Sequence, residues 1–181
     1  GDLAAAEKAL READRLAAAA FSTDDPRRAT AANNLAFVLH TEGRVGEALP
    51  LYTAALNLRE HSLGPNHPDV AQSLNNLAEA LRTVGRLEEA ERLQRRAIEI
   101  RRTRLPPGHP DLAQSLQSLA VLLTDRGRWG EAESLYREAL QIRLAVFGER
   151  HPSVAETKSN LAALAFARQR YGEAEGLYRE A

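Results

Sequence analysis

The chain has 181 residues, of which 44% are hydrophobic and 5% aromatic, and its 24 basic and 25 acidic side chains leave a formal net charge of −1. This balance excludes an overall electrostatic attraction to nucleic acid or to an anionic membrane, and no apolar run approaches the roughly 18 to 20 residues of a spanning helix. The absence of cysteine excludes disulfides, thiolate nucleophiles and cysteine-based metal sites, and it is typical of a cytoplasmic protein. Methionine is also absent, even at position 1, so we expect the chain to be a segment of a longer protein.

One unit of sequence recurs along the chain. The eight residues that begin at His67 return almost unchanged at His109, 42 positions later, and a shorter version begins at His151 after the same interval. No insertion interrupts this register, so we expect a single segment over 1–181 in which each unit packs on the next. The expected divisions are a half unit over 1–24, complete units over 25–66, 67–108 and 109–150, and an incomplete unit over 151–181.

In chain order, the first predicted element is a helix over 2–20, which corresponds in register to the second half of the later units. Each later unit is predicted to contain two helices. In the unit that begins at His67, apolar residues at three- and four-residue spacing predict a first helix over 68–84, with proline in its first turn. Gly85 ends that helix, and a second helix is predicted over 87–103, before the Pro-Pro-Gly at 106–108. The chain ends inside another second helix.

These residues resemble a known family. The tetratricopeptide repeat combines large apolar residues and a small one in its first helix with alanine in its second. The matching residues here are Leu74, Leu77, Ala78 and Leu81, followed by Ala90 and Ala97. The period of 42 exceeds the family's usual ~34, and the segments starting at His67, Leu74 and Arg86 resemble kinesin light chain repeats. The resemblance implies an all-α fold, a right-handed superhelical solenoid of antiparallel helix pairs.

The same resemblance implies a protein–protein interaction scaffold that binds a peptide or a segment of a partner protein. Similar arrays lie beside nucleotide-binding signalling domains in bacteria, so a regulatory or sensor repeat domain of such a protein is an alternative. The fourth unit departs from the pattern, because Lys158 replaces an apolar residue and Gln169 replaces the turn glycine. We therefore expect either the packing of that unit or its neighbour to differ.

No group of side chains predicts catalysis, a cofactor or a metal site. His67, His109 and His151 occupy one repeat position, and helices stacked ~8 to 10 Å apart cannot bring their imidazoles to one metal with ~2 Å bonds. These three are predicted to be structural turn residues. His40 and His61 have no acidic or hydroxyl partner in the repeat register, and phosphate loops and nucleophile elbows are absent. We expect the chain not to be an enzyme.

The large aromatic residues also follow the repeat. Trp129 aligns with Val45, Leu87 and Tyr171, so it is predicted to face the packed interior and not to act as an exposed binding anchor. Three tyrosines share another repeat position and are also predicted to pack, with their hydroxyls near the surface: Tyr52, Tyr136 and Tyr178.

In solenoids of paired helices the first helix of each unit lines the concave face, and its polar positions form the groove. Asparagine and glutamine amides both donate and accept hydrogen bonds, as binding of a peptide backbone requires. The resemblance implies that Asn34, Asn76 and Asn160 hold peptide main chain, whereas Ser118 replaces the fourth asparagine. The predicted partner-binding residues are Asn33, Asn34, Phe37, His40, Gln72, Asn75, Asn76, Glu79, Arg82, Gln114, Gln117, Ser118, Asp125, Ser159 and Asn160.

Two alternatives to this groove prediction stay open. The amides could simply keep a helix face soluble; if they hold a ligand, Asn76→Ala is expected to weaken binding without lowering the melting temperature. A second alternative is homo-oligomerisation, because both ends of the array expose helices without the polar caps that solenoids usually carry. The few charges of the groove leave the charge of the partner undetermined.

Overall fold

The computed structural model describes residues 3–22 and 25–181, and within this part of the chain every regular element is an α-helix. The helices predicted over 68–84 and 87–103 are confirmed to within one residue at both ends. The helix predicted over 2–20 is also present, although residue 2 lies outside the described residues. The helices of the described ranges are α1 (Leu3–Ala20), α2 (Pro26–Thr41), α3 (Val45–Leu63), α4 (Pro68–Thr83), α5 (Leu87–Arg104), α6 (Pro110–Asp125), α7 (Trp129–Phe147), α8 (Pro152–Ala167) and α9 (Tyr171–Glu180).

The repeated histidines cap the first helices, which are α2, α4, α6 and α8. In His67, His109 and His151 the ring Nδ1 accepts a hydrogen bond from the backbone amide two residues later, at 3.1 to 3.2 Å. The carboxylate of Asp25 accepts the equivalent bond at the start of α2. Because the first amides of a helix have no partner within it, a side-chain acceptor at this position stabilises the helix end. The structural interpretation of the three histidines is confirmed.

The turn after each first helix needs a residue in the left-handed backbone conformation, with a positive φ. Glycine provides it three times, as Gly43, Gly85 and Gly127, with φ between 72° and 80°. In the fourth unit Gln169 takes the same conformation with φ 61°, which costs an L-residue about 1–2 kcal/mol. The sequence therefore predicts the turn correctly even where glycine is missing.

The chain forms two compact units, each larger than one 42-residue repeat: the first unit is Gly1–Ile100 and the second unit is Arg101–Ala181. In the first unit α2 packs against α1, α3 and α4, and α3 packs against α4. In the second unit α6 packs against α7 and α8, α7 against α8, and α8 against α9. Consecutive helices thus form the pairs that the repeat predicts. None of the helices in the described ranges is both long enough and apolar enough to cross a membrane.

Small residues allow the paired helices to approach closely. Alanine occupies one position in every first helix and another in the second helices α3, α5, α7 and α9, and all of these side chains are buried. The fourth repeat differs, as expected, because Lys158 replaces Leu74 and Leu116, the buried leucines of the second and third repeats, and its Nζ lies 3.1 Å from a carboxylate oxygen of Glu180. The alanines are Ala36, Ala78, Ala120 and Ala162 in the first helices and Ala48, Ala90, Ala132 and Ala174 in the second helices.

The prediction for Trp129 is wrong, since 39% of this residue is exposed. It is the first residue of α7, and Tyr171, the first residue of α9, is exposed as well, whereas the smaller Val45 at the start of α3 is buried. Tyr52 is buried as predicted, with 1% exposed, and so is Tyr136. The prediction that Tyr178 packs is wrong, since it is 51% exposed: among the described helices, α9 packs against α8 alone.

Candidate functional site

The predicted partner-binding residues all lie on the first helices, but they differ in exposure. Asn33, Asn75 and Gln117 are buried, with at most 9% exposed, because this repeat position faces a neighbouring helix. The prediction that these three side chains lie on an open surface is therefore corrected. The exposed residues are Asn34, Phe37, Gln114 and Asp125. The half-buried residues are His40, Gln72, Asn76, Glu79, Arg82, Ser118, Ser159 and Asn160.

In the first unit, side-chain hydrogen bonds connect the two first helices. Nδ2 of Asn76 on α4 donates to Oδ1 of Asn33 on α2 at 2.8 Å, and Oδ1 of Asn76 accepts from Gln72 at 3.0 Å. Nε2 of His40 lies 3.0 Å from Oγ1 of Thr83, which makes a second bridge between the same helices and corrects the expectation that His40 has no hydroxyl partner. Asn76→Ala would break two of these bonds, so we now expect it to lower stability as well.

The three asparagines at the family's peptide-binding position are not equivalent. Asn76 is engaged in the bridge, whereas Asn34 is exposed and makes no side-chain hydrogen bond to any other described residue. Asn160, on α8, is half-buried and also keeps its amide unpaired within the described chain. The amides of Asn34 and Asn160 are therefore the ones available for a ligand without the loss of an internal bond.

Beside the bridge, the structure forms a pocket of about 220 Å³ between α2, α3 and α4. Phe37 forms one wall of the pocket and is 60% exposed. The buried ring of Tyr52 meets the ring of His40 edge to face, with centroids 6.3 Å apart. Burial, with the nearby charge of Glu79, raises the pKa of Tyr52 to about 12. The Tyr52 hydroxyl therefore keeps its proton at physiological pH.

The charge at the pocket rim is largely neutralised. Glu79 lines the pocket, but one of its oxygens lies 2.6 Å from Nη2 of Arg82, one helical turn later. Asn76 and Thr41 complete the lining with uncharged polar groups. The pocket thus offers an aromatic wall and a few hydrogen-bonding groups, which suits an apolar side chain more than a charged one.

In the second unit, charged groups replace the amide bridge. Nε2 of Gln117 on α6 donates to Glu156 on α8 at 2.8 Å. Oε1 of Gln117 accepts from Oγ1 of Thr157 at 3.1 Å and also from the guanidinium of Arg143. Arg143 is itself buried, with 7% exposed. Burial lowers the pKa of Arg143, and the charge of Glu156 partly offsets that effect. In the second unit, the buried guanidinium of Arg143 therefore supports the bridge between α6 and α8.

Arg143 belongs to a row of buried arginines that was not predicted from the sequence. Arg59, Arg101 and Arg143 each donate from Nη1 to a backbone carbonyl 10 residues later and to a hydroxyl 14 residues later. The bonds connect the end of a second helix to the following first helix. The signal was present, since the arginine and the hydroxyl recur together every 42 positions. The hydroxyl acceptors are Ser73, Ser115 and Thr157.

The described residues contain no group of three or more histidine and acidic side chains that could hold a metal ion. The sequence model of the tetratricopeptide repeat family matches residues 27–103 and 107–181, which is most of the chain. The chain belongs to the tetratricopeptide repeat family. No curated protein matches the sequence.

Solved structures agree with this family. A variant of a Podosopora anserina protein with nearly identical TPR-like repeats, described as a kinesin light chain, is 25% identical with a TM-score of 0.82, over 99% of this chain and 85% of that one. BtubC (BKLC) from P. vanneervenii is also 25% identical, with a TM-score of 0.80 over 98% of this chain and 70% of that one. The apo form of RapI is 16% identical and shares the fold, with a TM-score of 0.80 over 99% of this chain and 63% of that one. The TPR-like solenoid fold and the kinesin light chain-like character of the repeats are therefore confirmed.

Proposed function

We propose that this chain is a protein–protein interaction scaffold whose first helices bind a peptide or an extended segment of a partner protein. The exposed ring of Phe37 beside an open pocket supports this proposal most directly, because an exposed aromatic ring that borders a pocket can anchor a side chain of a partner. Tetratricopeptide repeats generally serve as interaction scaffolds, in agreement with this assignment. The absence of cysteine fits a cytoplasmic setting.

The geometry suits a partner that combines an apolar side chain with an accessible backbone. The pocket takes the apolar side chain, and Asn34, one helical turn before Phe37, offers both a donor and an acceptor to the peptide main chain. Asn160 offers the same groups on α8 of the second unit. Gln114 and Asp125 are exposed on α6 and add polar contacts there.

The experiment selects peptides from a random displayed library on the wild-type chain and measures their dissociation constants with two variants. Phe37→Ser is expected to weaken the selected peptides about tenfold or more, as loss of an aromatic anchor does. Phe166→Ser is the matched control, because Phe166 is also 60% exposed but lies outside the Phe37 pocket. Equal binding by wild type and Phe37→Ser, or equal losses in both variants, would refute the proposal.

A specific observation favours self-assembly as a second candidate. On α8 and α9 three aromatic residues are each more than half exposed, and they border a cleft of about 440 Å³. Phe166 and Tyr171 form an edge-to-face pair with centroids 5.3 Å apart, and Tyr178 lies beside the same cleft. An end-to-end contact between copies would cover this cleft.

Light scattering over a range of protein concentrations distinguishes the two candidates. Self-assembly predicts a molar mass that grows with concentration in the wild type and in Phe37→Ser, but not in Phe166→Ser. A constant monomer mass that coexists with peptide binding would support the scaffold and rule out assembly through this cleft.

A further inference from the structure

The outer contacts between successive second helices follow a repeated pattern of ion pairs. In the first type, the arginine of the turn before a second helix reaches back to a glutamate on the preceding second helix. Arg44 lies 2.8 Å from Glu7, and Arg170 lies 2.9 Å from Glu133. Because both pairs have the same spacing of 37 residues, they are one contact of the repeat.

A second type of ion pair lies beside the first. Arg11 on α1 lies 3.5 Å from Glu47 on α3, and Arg137 on α7 lies 3.4 Å from Glu173 on α9. The separation is 36 residues in both pairs. Together the two types place charged side chains over the space between neighbouring second helices.

Between α3 and α5 neither of these two ion pairs is present among the described residues, although Arg96 on α5 pairs with Glu60 on α3 at 2.5 Å further along the two helices. Leu49 occupies the position of Glu7 and Glu133, so Arg86, the turn arginine here, pairs only with Glu89 on its own helix, at 2.7 Å. Thr53 occupies the position of Arg11 and Arg137, so Glu89 has no arginine partner on α3. Leu49 and Thr53 thus stand where α1 and α7 have a glutamate and an arginine. The charged side chains that cover the space between α1 and α3 and between α7 and α9 are therefore absent from this junction.

A pocket of about 300 Å³ lies at this junction, between α3, α4 and α5. Four leucines form its apolar part, two of them buried on α4 and two half-buried on the second helices. Arg86 and Arg92 lie at its rim, and Arg92 is exposed and makes no ion pair with any described residue. The pocket shares no residue with the Phe37 pocket. The leucines are Leu49, Leu77, Leu81 and Leu93.

We infer that this junction is a second docking site, for a partner protein segment that presents an aliphatic side chain next to a carboxylate. The leucines receive the aliphatic group, and the two arginines at the rim exceed the single carboxylate of Glu89, so the site carries a net positive charge. A phosphate group alone would satisfy the arginines and leave the apolar volume empty. The second helices would thus bind one segment while the first helices bind another.

N-acetyl-leucine is the smallest probe that combines both groups, with N-acetyl-leucinamide as the control without a carboxylate and N-acetylglycine as the control without the aliphatic group. Methyl-resolved NMR of the wild-type chain is expected to show saturable shifts of Leu49, Leu81 and Leu93 with N-acetyl-leucine at millimolar concentration. N-acetyl-leucinamide should bind several-fold more weakly, and N-acetylglycine should produce no saturable shift.

Two variants introduce the residues that α1 and α7 have at these two positions, and both should close the site. Leu49→Glu gives Arg86 the partner that Arg44 and Arg170 have. Thr53→Arg gives Glu89 the partner that Glu47 and Glu173 have, and because Thr53 lines the pocket, the longer side chain would fill the apolar space despite its added charge. Each is expected to weaken N-acetyl-leucine about tenfold or more while leaving the melting temperature unchanged or higher. Arg92→Gln should remove the preference for the acid over the amide and leave the fold intact.

The absence of saturable shifts in the wild type would overturn the inference. Equal affinity of wild type and Thr53→Arg would also overturn it, and that variant keeps the test valid if Leu49→Glu fails to fold, because Thr53 is exposed. The outcome is independent of the peptide scaffold proposal, since Phe37→Ser is expected to leave these shifts unchanged.

Discussion

The two units of this chain use the same repeat positions to build different surfaces on their first helices. In the first unit, neutral amides bridge α2 and α4, and an aromatic pocket lies beside the bridge. In the second unit, Gln117 bridges α6 and α8 through Glu156, above the buried guanidinium of Arg143. Val121 and Ala163 there occupy the repeat position of Phe37. The repeat fixes where a side chain lies. The identity of the residue at that position then decides whether it borders a pocket or packs in a closed contact between helices.

This difference separates features of binding from features of stability between the first helices of the two units. The first unit leaves Phe37 exposed and Asn34 unpaired, which are features of a binding surface. Each unit holds a buried arginine through three acceptors, but in the second unit one of these acceptors is the bridging residue Gln117, which is a feature of a structural contact. Substitutions at matched positions in the two units should therefore change the free energy of unfolding by unequal amounts.

The largest effect is expected at the buried arginines. Arg143→Met is expected to lower the free energy of unfolding by about 2–4 kcal/mol, because it leaves buried acceptors on two helices without a donor. Arg59→Met removes longer bonds, of 2.9 to 3.3 Å, so we expect a smaller loss of about 1–2 kcal/mol. Urea denaturation of both variants checks the order, and a greater loss in Arg59→Met would show that the charged contact of the second unit is not the stronger one.

A smaller effect is expected at the asparagine position. Asn76→Ala should lower the free energy of unfolding by about 1 kcal/mol, because Asn33 and Gln72 both lose a partner. Ser118→Ala, at the same repeat position on α6, should change it by less than about 0.5 kcal/mol, since Ser118 makes no side-chain hydrogen bond to a described residue. Thermal unfolding of the pair measures the difference. If both variants unfold at the same temperature, the amide bridge contributes nothing to stability.

Most of the fold could be predicted from the sequence because its signals are local and repeated. Proline and a capping side chain start each first helix, and a left-handed residue ends it, so the helix bounds follow directly. The register even predicts the turn at Gln169, where the preferred residue is absent. The capping role of the histidines follows from their recurrence at one position.

The candidate site could be predicted only in part, because exposure depends on neighbouring helices. The helical period assigned Asn75 to an open face, but the adjacent helices leave it only 5% exposed. Alignment with apolar residues suggested that Trp129 is buried, but at the start of α7 it is 39% exposed. The burial of Arg143 could not be predicted from its charge, because it depends on hydrogen bonds to a neighbouring helix that compensate the loss of water.

The smallest expected effect is a pH-dependent one at the outer ion pairs. Burial raises the pKa of Glu133, but hydrogen bonding to Arg170 and the charges of Arg137, Arg170 and Arg168 outweigh that effect, and the net pKa lies below its usual value. A carboxyl group with a lowered folded-state pKa stabilises the protein above its unfolded-state pKa of about 4.3, and this contribution disappears as the pH falls through the folded-state pKa. Glu133→Gln should therefore lower the melting temperature at neutral pH and have progressively less effect below about pH 4.

Leu49→Gln is the control at the same repeat position, where no charge is lost, so its effect should not change with pH. Equal pH profiles for the two variants would mean that Glu133 does not contribute through its charge, and the contrast between the ion-paired and the apolar junctions would then rest on packing alone.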